Sequence, residues 1–235
     1  MKKLLVTVLA LLLLGAAAGK AQDKVETNIC LDFVNDYVWR GQDLGDVSLQ
    51  PTFNISYKGL TLETWGSIGL SNPGDTKEID LSLTYAIGGF SVNVTDYWFT
   101  TGPDETCSYF RYGHGVTNHV FEATVGYDFG VLSLAWSTNF AGNDFTEAGK
   151  QAFSSYFELN VPFVLGGVDW TATAGAVPFA TDFYGTGRFA VTNLMLTAAK
   201  DIRVTDSFAI PVFAQLAVNP YARKTYLVFG FTLGI

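Results

Sequence analysis

Three ionisable residues at four-residue intervals, Asp32, Asp36 and Arg40, share one parity of the segment Thr27 to Arg40, whose other parity carries Ile29, Leu31, Phe33, Tyr37 and Trp39. Alternate side chains of an extended chain point to opposite faces, so the three charges occupy a face that hydrocarbon cannot accept. The same rule gathers Glu63, Trp65, Glu78, Asp80, Glu122, Tyr156, Glu158 and Asp169 onto matching polar faces of later segments. Carboxylates lining the inside of a closed wall concentrate cations and repel anions. The alternative is a buried polar network that fills the interior and holds the wall together. Arg40, the clearest basic residue of the set, either lines a constriction or pairs with Asp36 or a neighbouring strand's carboxylate. The second role is expected, because a desolvated guanidinium needs a partner.

Catalytic chemistry has little to work with. His114 lies in a long Gly-flanked stretch near Asp104, Glu105 and Ser108, and His119 begins a strand with parity toward the apolar side. A hydrolase needs a nucleophile, a base and an orienting group on rigid elements, and no triad order is visible. The reading is a solvated loop histidine and an interfacial one. Cys107, His114 and Glu105 lack a recognisable metal-ligand spacing, and no cofactor signature is present. Cys30 and Cys107 fall at opposite ends of the expected wall, roughly 25 Å apart, too far for a disulfide unless the loop folds inward.

The elements that must position these residues are strands. The spacing predicts twelve: Thr27 to Arg40, Ser48 to Tyr57, Leu60 to Leu70, Lys77 to Ala86, Phe90 to Thr100, Asn118 to Tyr127, Val131 to Phe140, Gln151 to Pro162, Val168 to Val177, Arg188 to Ala199, Ser207 to Val218 and Thr225 to Ile235. In the Phe90 to Thr100 segment strict alternation sends Asp96 to the apolar face. A bulge near Thr95 is expected to turn Asp96 and Trp98 inward and Tyr97 and Phe99 outward. Connections alternate between long polar stretches and short turns such as Lys58-Gly59, with Lys200 to Asp206 as the exception. The last segment places Leu227, Phe229, Phe231, Leu233 and Ile235 on one face. In a closed barrel the last strand zips against the first, leaving no unpaired edge, with its apolar face toward lipid.

The amino end agrees. Lys2 and Lys3 precede an apolar run from Leu4 to Ala18, and Gly19-Lys20-Ala21 offers small residues for cleavage, so residues 1–21 read as a cleaved secretory signal with Gln22 next. The rival is an uncleaved signal anchor. No cysteine follows the cleavage site to carry a lipid. Without the signal, 11 basic residues face 22 acidic ones, a charge of −11 that argues against nucleic acid as a partner. Aromatics make up 15% of a chain that is half hydrophobic, yet beyond the signal no apolar run reaches the length of a membrane helix. Alternation within strands gives that composition. Residues 22–235 fit one domain.

The motifs Asp36-Tyr37-Val38-Trp39-Arg40-Gly41, Thr64-Trp65-Gly66-Ser67, Lys77-Glu78-Ile79-Asp80-Leu81 before Gly88-Gly89-Phe90, and Ser155-Tyr156-Phe157-Glu158-Leu159 before Gly166-Gly167 resemble the TorF-like porins. In that family an aromatic-Arg-Gly sequence closes the first strand of an outer-membrane barrel. The chain departs from outer-membrane proteins at its end, where Ile235 replaces the usual aromatic residue. The resemblance implies a passive channel without catalytic residues.

The expectation is an all-β, up-and-down antiparallel transmembrane barrel with periplasmic termini. It would be exported through the Sec pathway and placed in the outer membrane of a Gram-negative cell by the barrel-assembly machinery, with lipid and small solutes as partners. The competing expectation is a barrel that transports nothing and binds ligands through loops carrying Phe110, Tyr112, Phe145 and Tyr184.

Overall fold

The computed structural model describes residues 24–72, 74–100, 108–206 and 208–234. Residues 1–21, Gln22, Asp104, Glu105, Cys107 and Ile235 therefore lie outside the described residues. Twelve strands close into one antiparallel barrel: β1 (Glu26–Val34), β4 (Ser48–Tyr57), β5 (Leu60–Gly69), β6 (Lys77–Ile87), β7 (Phe90–Thr100), β8 (His119–Asp128), β9 (Ser133–Gly142), β10 (Ser155–Leu165), β11 (Val168–Val177), β12 (Ala190–Arg203), β13 (Ala209–Asn219) and β14 (Lys224–Gly234). Each wall strand pairs with its sequence neighbours. β1 closes the ring by pairing with β4 on one side and β14 on the other, in the register Cys30↔Gly234 to Val34↔Gly230. At this seam Phe33 and Phe231 face each other across the strands and stack at 5.4 Å.

The wall is inside-out relative to a water-soluble protein. On β14, Leu227 and Phe229 are 53% and 50% exposed while Val228 and Thr232 are buried. On β5, Leu60, Leu62 and Ile68 are exposed while Glu63, Trp65 and Ser67 are buried. A closed strand wall satisfies its backbone internally, and an apolar exterior around a polar interior is what a bilayer requires of it.

The expected first strand is too long. β1 stops at Val34, and the chain then turns into the barrel as a separate hairpin of β2 (Tyr37–Trp39) and β3 (Gln42–Gly45). Tyr37 and Trp39, expected to face lipid, lie inside. Gly41 to Val47, expected as a turn at the barrel end, supplies the returning strand. The reason lies at Asn35. Its backbone N–H donates to Phe229 O, its Nδ2 donates to Leu227 O, and its Oδ1 accepts from Phe229 N–H. These bonds satisfy β14 after β1 has ended, so the chain leaves the wall without orphaning backbone groups.

Two further expectations are corrected. β7 runs without a bulge, pairing residue for residue with β6 and β8, so Asp96 and Trp98 stay on the outer face and Tyr97 and Phe99 point inward. Register shifts in the wall lie between Phe121 and Glu122 and between Gly175 and Ala176, and the inner hairpin has one between Tyr37 and Val38. The exceptional connection at Lys200 to Asp206 also disappears. β12 continues to Arg203, pairing Lys200 to Arg203 with β13 where the side chains are exposed. Charges at a wall end suit solvent as well as a loop does, so they are a poor marker of strand termination.

Candidate lumenal site

The turn of the inner hairpin is Arg40-Gly41, with φ of 50° and 79°. Two consecutive positive φ values are the mirror-image turn that joins two-residue hairpins, and Lys58-Gly59 (48° and 83°) makes the same turn in the wall. Glycine is required at position 41, because a Cβ there would collide with the carbonyl oxygen of Thr192. Asn219 Nδ2 donates to Gly41 O at 2.9 Å, fixing the tip against β13.

This turn points Arg40 at the far wall. Its NH1 and NH2 donate to Glu122 Oε2 and Oε1 at 2.5 and 2.9 Å, a bidentate pair. NH1 also donates to Tyr184 OH at 2.5 Å, and NH2 to Ser137 Oγ at 3.1 Å. The guanidinium lies over the rings of Trp39 and Tyr156, 4.4 and 4.6 Å from their centroids. Glu122 additionally accepts from Tyr97 OH at 3.1 Å. Counting round the ring from β1, Glu122 on β8 is five strands away and Ser137 on β9 is six, diametrically opposite in a wall of twelve. The hairpin therefore crosses the lumen. Tyr37, nearer the hairpin's base, donates to Glu78 Oε2 on β6 at 2.8 Å and packs against Trp65.

The level around Arg40 is filled. Trp39 meets Tyr97, Phe183 and Tyr184, and Tyr184 stacks on Tyr156. Tyr156 and Glu122 are each 1% exposed. The hydroxyl end of Tyr156 covers Gly175, where a Cβ would overlap the phenol.

The expected inward residues divide into groups. Glu63, Trp65, Glu78, Asp80, Glu122, Tyr156 and Glu158 are buried inside the wall. Asp32 is half-buried on β1 and accepts from Thr232 Oγ1 at 2.5 Å. Asp169 has the inward parity of buried Thr173 but is exposed beside the 166–167 turn. Asp36 and Arg40 reach the interior on the inserted segment rather than by wall parity, and Arg40 takes Glu122, neither Asp36 nor a carboxylate of an adjoining strand. Of the other groups around Arg40, the expected bulge turns Tyr97 outward, parity makes Ser137 lumenal as found, and Tyr184 is expected only in an outer loop. Unbroken alternation through β7 and β9 marks the first two; nothing marks Tyr184, which comes from the 178–189 connection.

His119 is corrected as well. It keeps its outward parity yet is 0% exposed, because the 108–118 connection folds over it. Its Nδ1 lies 2.7 Å from Asp96 Oδ1 and its Nε2 2.5 Å from the Tyr109 carbonyl oxygen, with Tyr112 stacked on the ring. His114 packs edge-on against Phe145. Cys30 is half-buried on β1.

No family model matches the sequence, and no curated protein matches it. Among solved structures the chain is similar to an OmpF complex with daunomycin from Salmonella typhi, at 10% identity over 91% of this chain and 98% of that one, with a TM-score of 0.38. It is similar to CdiB from Acinetobacter baumannii at 10% identity over 92% and 60% of the two chains, TM-score 0.41. A mutant Rh. blastica porin gives 11% identity over 90% and 100%, TM-score 0.37. These values assign no family and transfer no activity. The aromatic-Arg-Gly element, expected to close the first strand, forms the tip of the inner hairpin instead.

Proposed function

We propose that this chain is an outer-membrane channel giving passive passage to small cationic or neutral solutes through a narrow acidic lumen. Asp32, Asp36, Glu63, Trp65, Glu78, Asp80, Glu122, Tyr156, Glu158 and Asp169 line that path, with Arg40 at its constriction. The observation that carries the reading is a charge imbalance inside the wall. Arg40 pairs with Glu122, and among the described residues Glu63, Glu78 and Asp80 have no Lys or Arg within ion-pair distance. Carboxyl groups without a basic partner present acceptor oxygens to the lumen, an arrangement that suits cations better than anions. The apolar exterior supports an outer-membrane address, reached by Sec export and the barrel-assembly machinery.

The test is single-channel recording in planar bilayers under a salt gradient. Stepwise conductance with a reversal potential on the cation side is expected. Anion preference would overturn the proposed selectivity, and silence from folded, inserted protein that persists after the inner hairpin is removed would overturn the channel.

One observation favours a second reading. At the level of Arg40, Glu122, Ser137, Tyr156 and Tyr184 are buried and Trp39, Tyr97 and Phe183 half-buried against them, as in a barrel that transports nothing and acts through its loops. Removing the hairpin separates the two readings, since only the first expects a conducting wall beneath it.

A further inference from the structure

We infer that the wall pocket holding Arg40 is a guanidinium-recognising cation site, occupied at rest by the chain's own Arg40, so that the β2–β3 hairpin is a displaceable gate. This inference rests on the channel reading above.

The pocket is built by the wall and one outer connection. Glu122 offers a bidentate carboxylate, Tyr156 a ring face, and Ser137 and Tyr184 hydroxyl oxygens, and all four groups are buried. A planar, multi-donor cation matches that set; a compact ammonium engages it only as a point charge. Further hydrogen bonds hold the receptor in place. Tyr97 OH donates to Glu122, and Thr124 and Ser137 hydroxyls meet at 2.8 Å beside it. The occupant sits on an element separate from the wall. β2 and β3 form a two-stranded sheet of their own, outside the barrel ladder, and an isolated two-stranded hairpin is marginally stable. It is seated by Arg40, by Tyr37 to Glu78, by Asn219 to Gly41, by Thr76 N–H to Leu44 O and Asp46 N–H to Asp75 Oδ2, and by the packing of Trp39.

The experiment uses the full-length chain with Arg40→Ala, its folding checked by the heat-modifiable gel shift. Wild type is expected to be closed most of the time, and Arg40→Ala to raise open probability about tenfold or more. Guanidinium chloride at millimolar concentration should then block the Arg40→Ala channel at about a tenth of the concentration needed for methylammonium. Glu122→Gln added to Arg40→Ala should abolish that preference. Glu122→Gln alone, which keeps the pocket's shape, should open the channel in the same direction.

Unchanged gating in both single variants overturns the gate, and block by the two cations at equal concentrations overturns the guanidinium site. Both results leave the channel reading intact. If the chain stays silent with residues 36–46 replaced by a short Gly-Ser turn, the channel reading itself fails.

Discussion

Asn35 and Phe229 exchange backbone and side-chain hydrogen bonds across the closing seam: Asn35 N–H donates to Phe229 O, and Phe229 N–H donates to Asn35 Oδ1 at 2.5 Å. The side chain replaces the missing backbone acceptor of β1 at the point where the chain turns inward. Asn35→Ala should cost about 1 kcal/mol for the lost bonds. It should also loosen the hairpin's entry into the lumen, seen as greater quencher access to Trp39 fluorescence. Unchanged quenching would mean that other contacts fix the turn.

Burial makes the Arg40–Glu122 pair a liability when halved. Glu122→Ala strands a buried guanidinium and should destabilise the folded barrel by about 3 to 5 kcal/mol, whereas replacing both partners with apolar residues should cost much less. Urea unfolding in detergent, monitored by the gel shift, compares them. A double variant as unstable as the single one would argue that packing dominates. Arg40→Lys should behave more like a loss than a conservative change, because an ammonium cannot make the fork.

Asp36 gives the inserted conformation a pH dependence. Burial, then the carboxylates of Asp43, Asp46 and Asp75, push its pKa from 3.8 up to about 6. A raised carboxyl pKa means the seated form binds the proton more tightly, so seating gains stability as pH falls through about 6 and loses it as pH rises. Asp75 Oδ2 also accepts from Asp46 N–H at 3.2 Å. Trp39 should therefore be better protected from quencher at pH 5 than at pH 7.5, and Asp36→Asn should flatten that difference. A full pH response in Asp36→Asn would assign the titration elsewhere.

The outer wall carries its own buried pair. Asp96→Ala removes the Nδ1 partner of fully buried His119 and should release the connection that covers it, at a cost of about 1 to 3 kcal/mol. Exposed Arg111 in that connection is a trypsin site, so limited proteolysis should speed up in Asp96→Ala. An unchanged cleavage rate would show that ring stacking alone holds the segment.

Gly175 sets the depth of Tyr156. Gly175→Ala drives a methyl group into the phenol, which must move into the space that the Arg40 guanidinium occupies. Overpacking of this kind costs about 1 to 3 kcal/mol. The folded fraction on heat-modifiable gels should fall, and Tyr156→Phe should recover part of it, because the collision begins at the hydroxyl.

Alternation alone determined the wall. Leu227, Phe229 and Leu233 against Val228 and Thr232, or Leu60 and Leu62 against Glu63 and Trp65, specify strands, their two faces and a closed polar interior, because a period of two is a local property of the chain. Where that pattern was overridden, at the supposed bulge near Thr95, the unmodified rule was correct: Asp96 is tolerated outside because His119 and the overlying connection shield it. Tertiary structure decided where the chain leaves the wall. Tyr37 and Trp39 have the composition and parity of lipid-facing residues, and only the bonds of Asn35 to Leu227 and Phe229, nearly two hundred residues away, release them inward. It also decided Arg40's partner, since parity assigns a side chain to a face but does not say which of eleven other strands will stand across the lumen once the ring has closed.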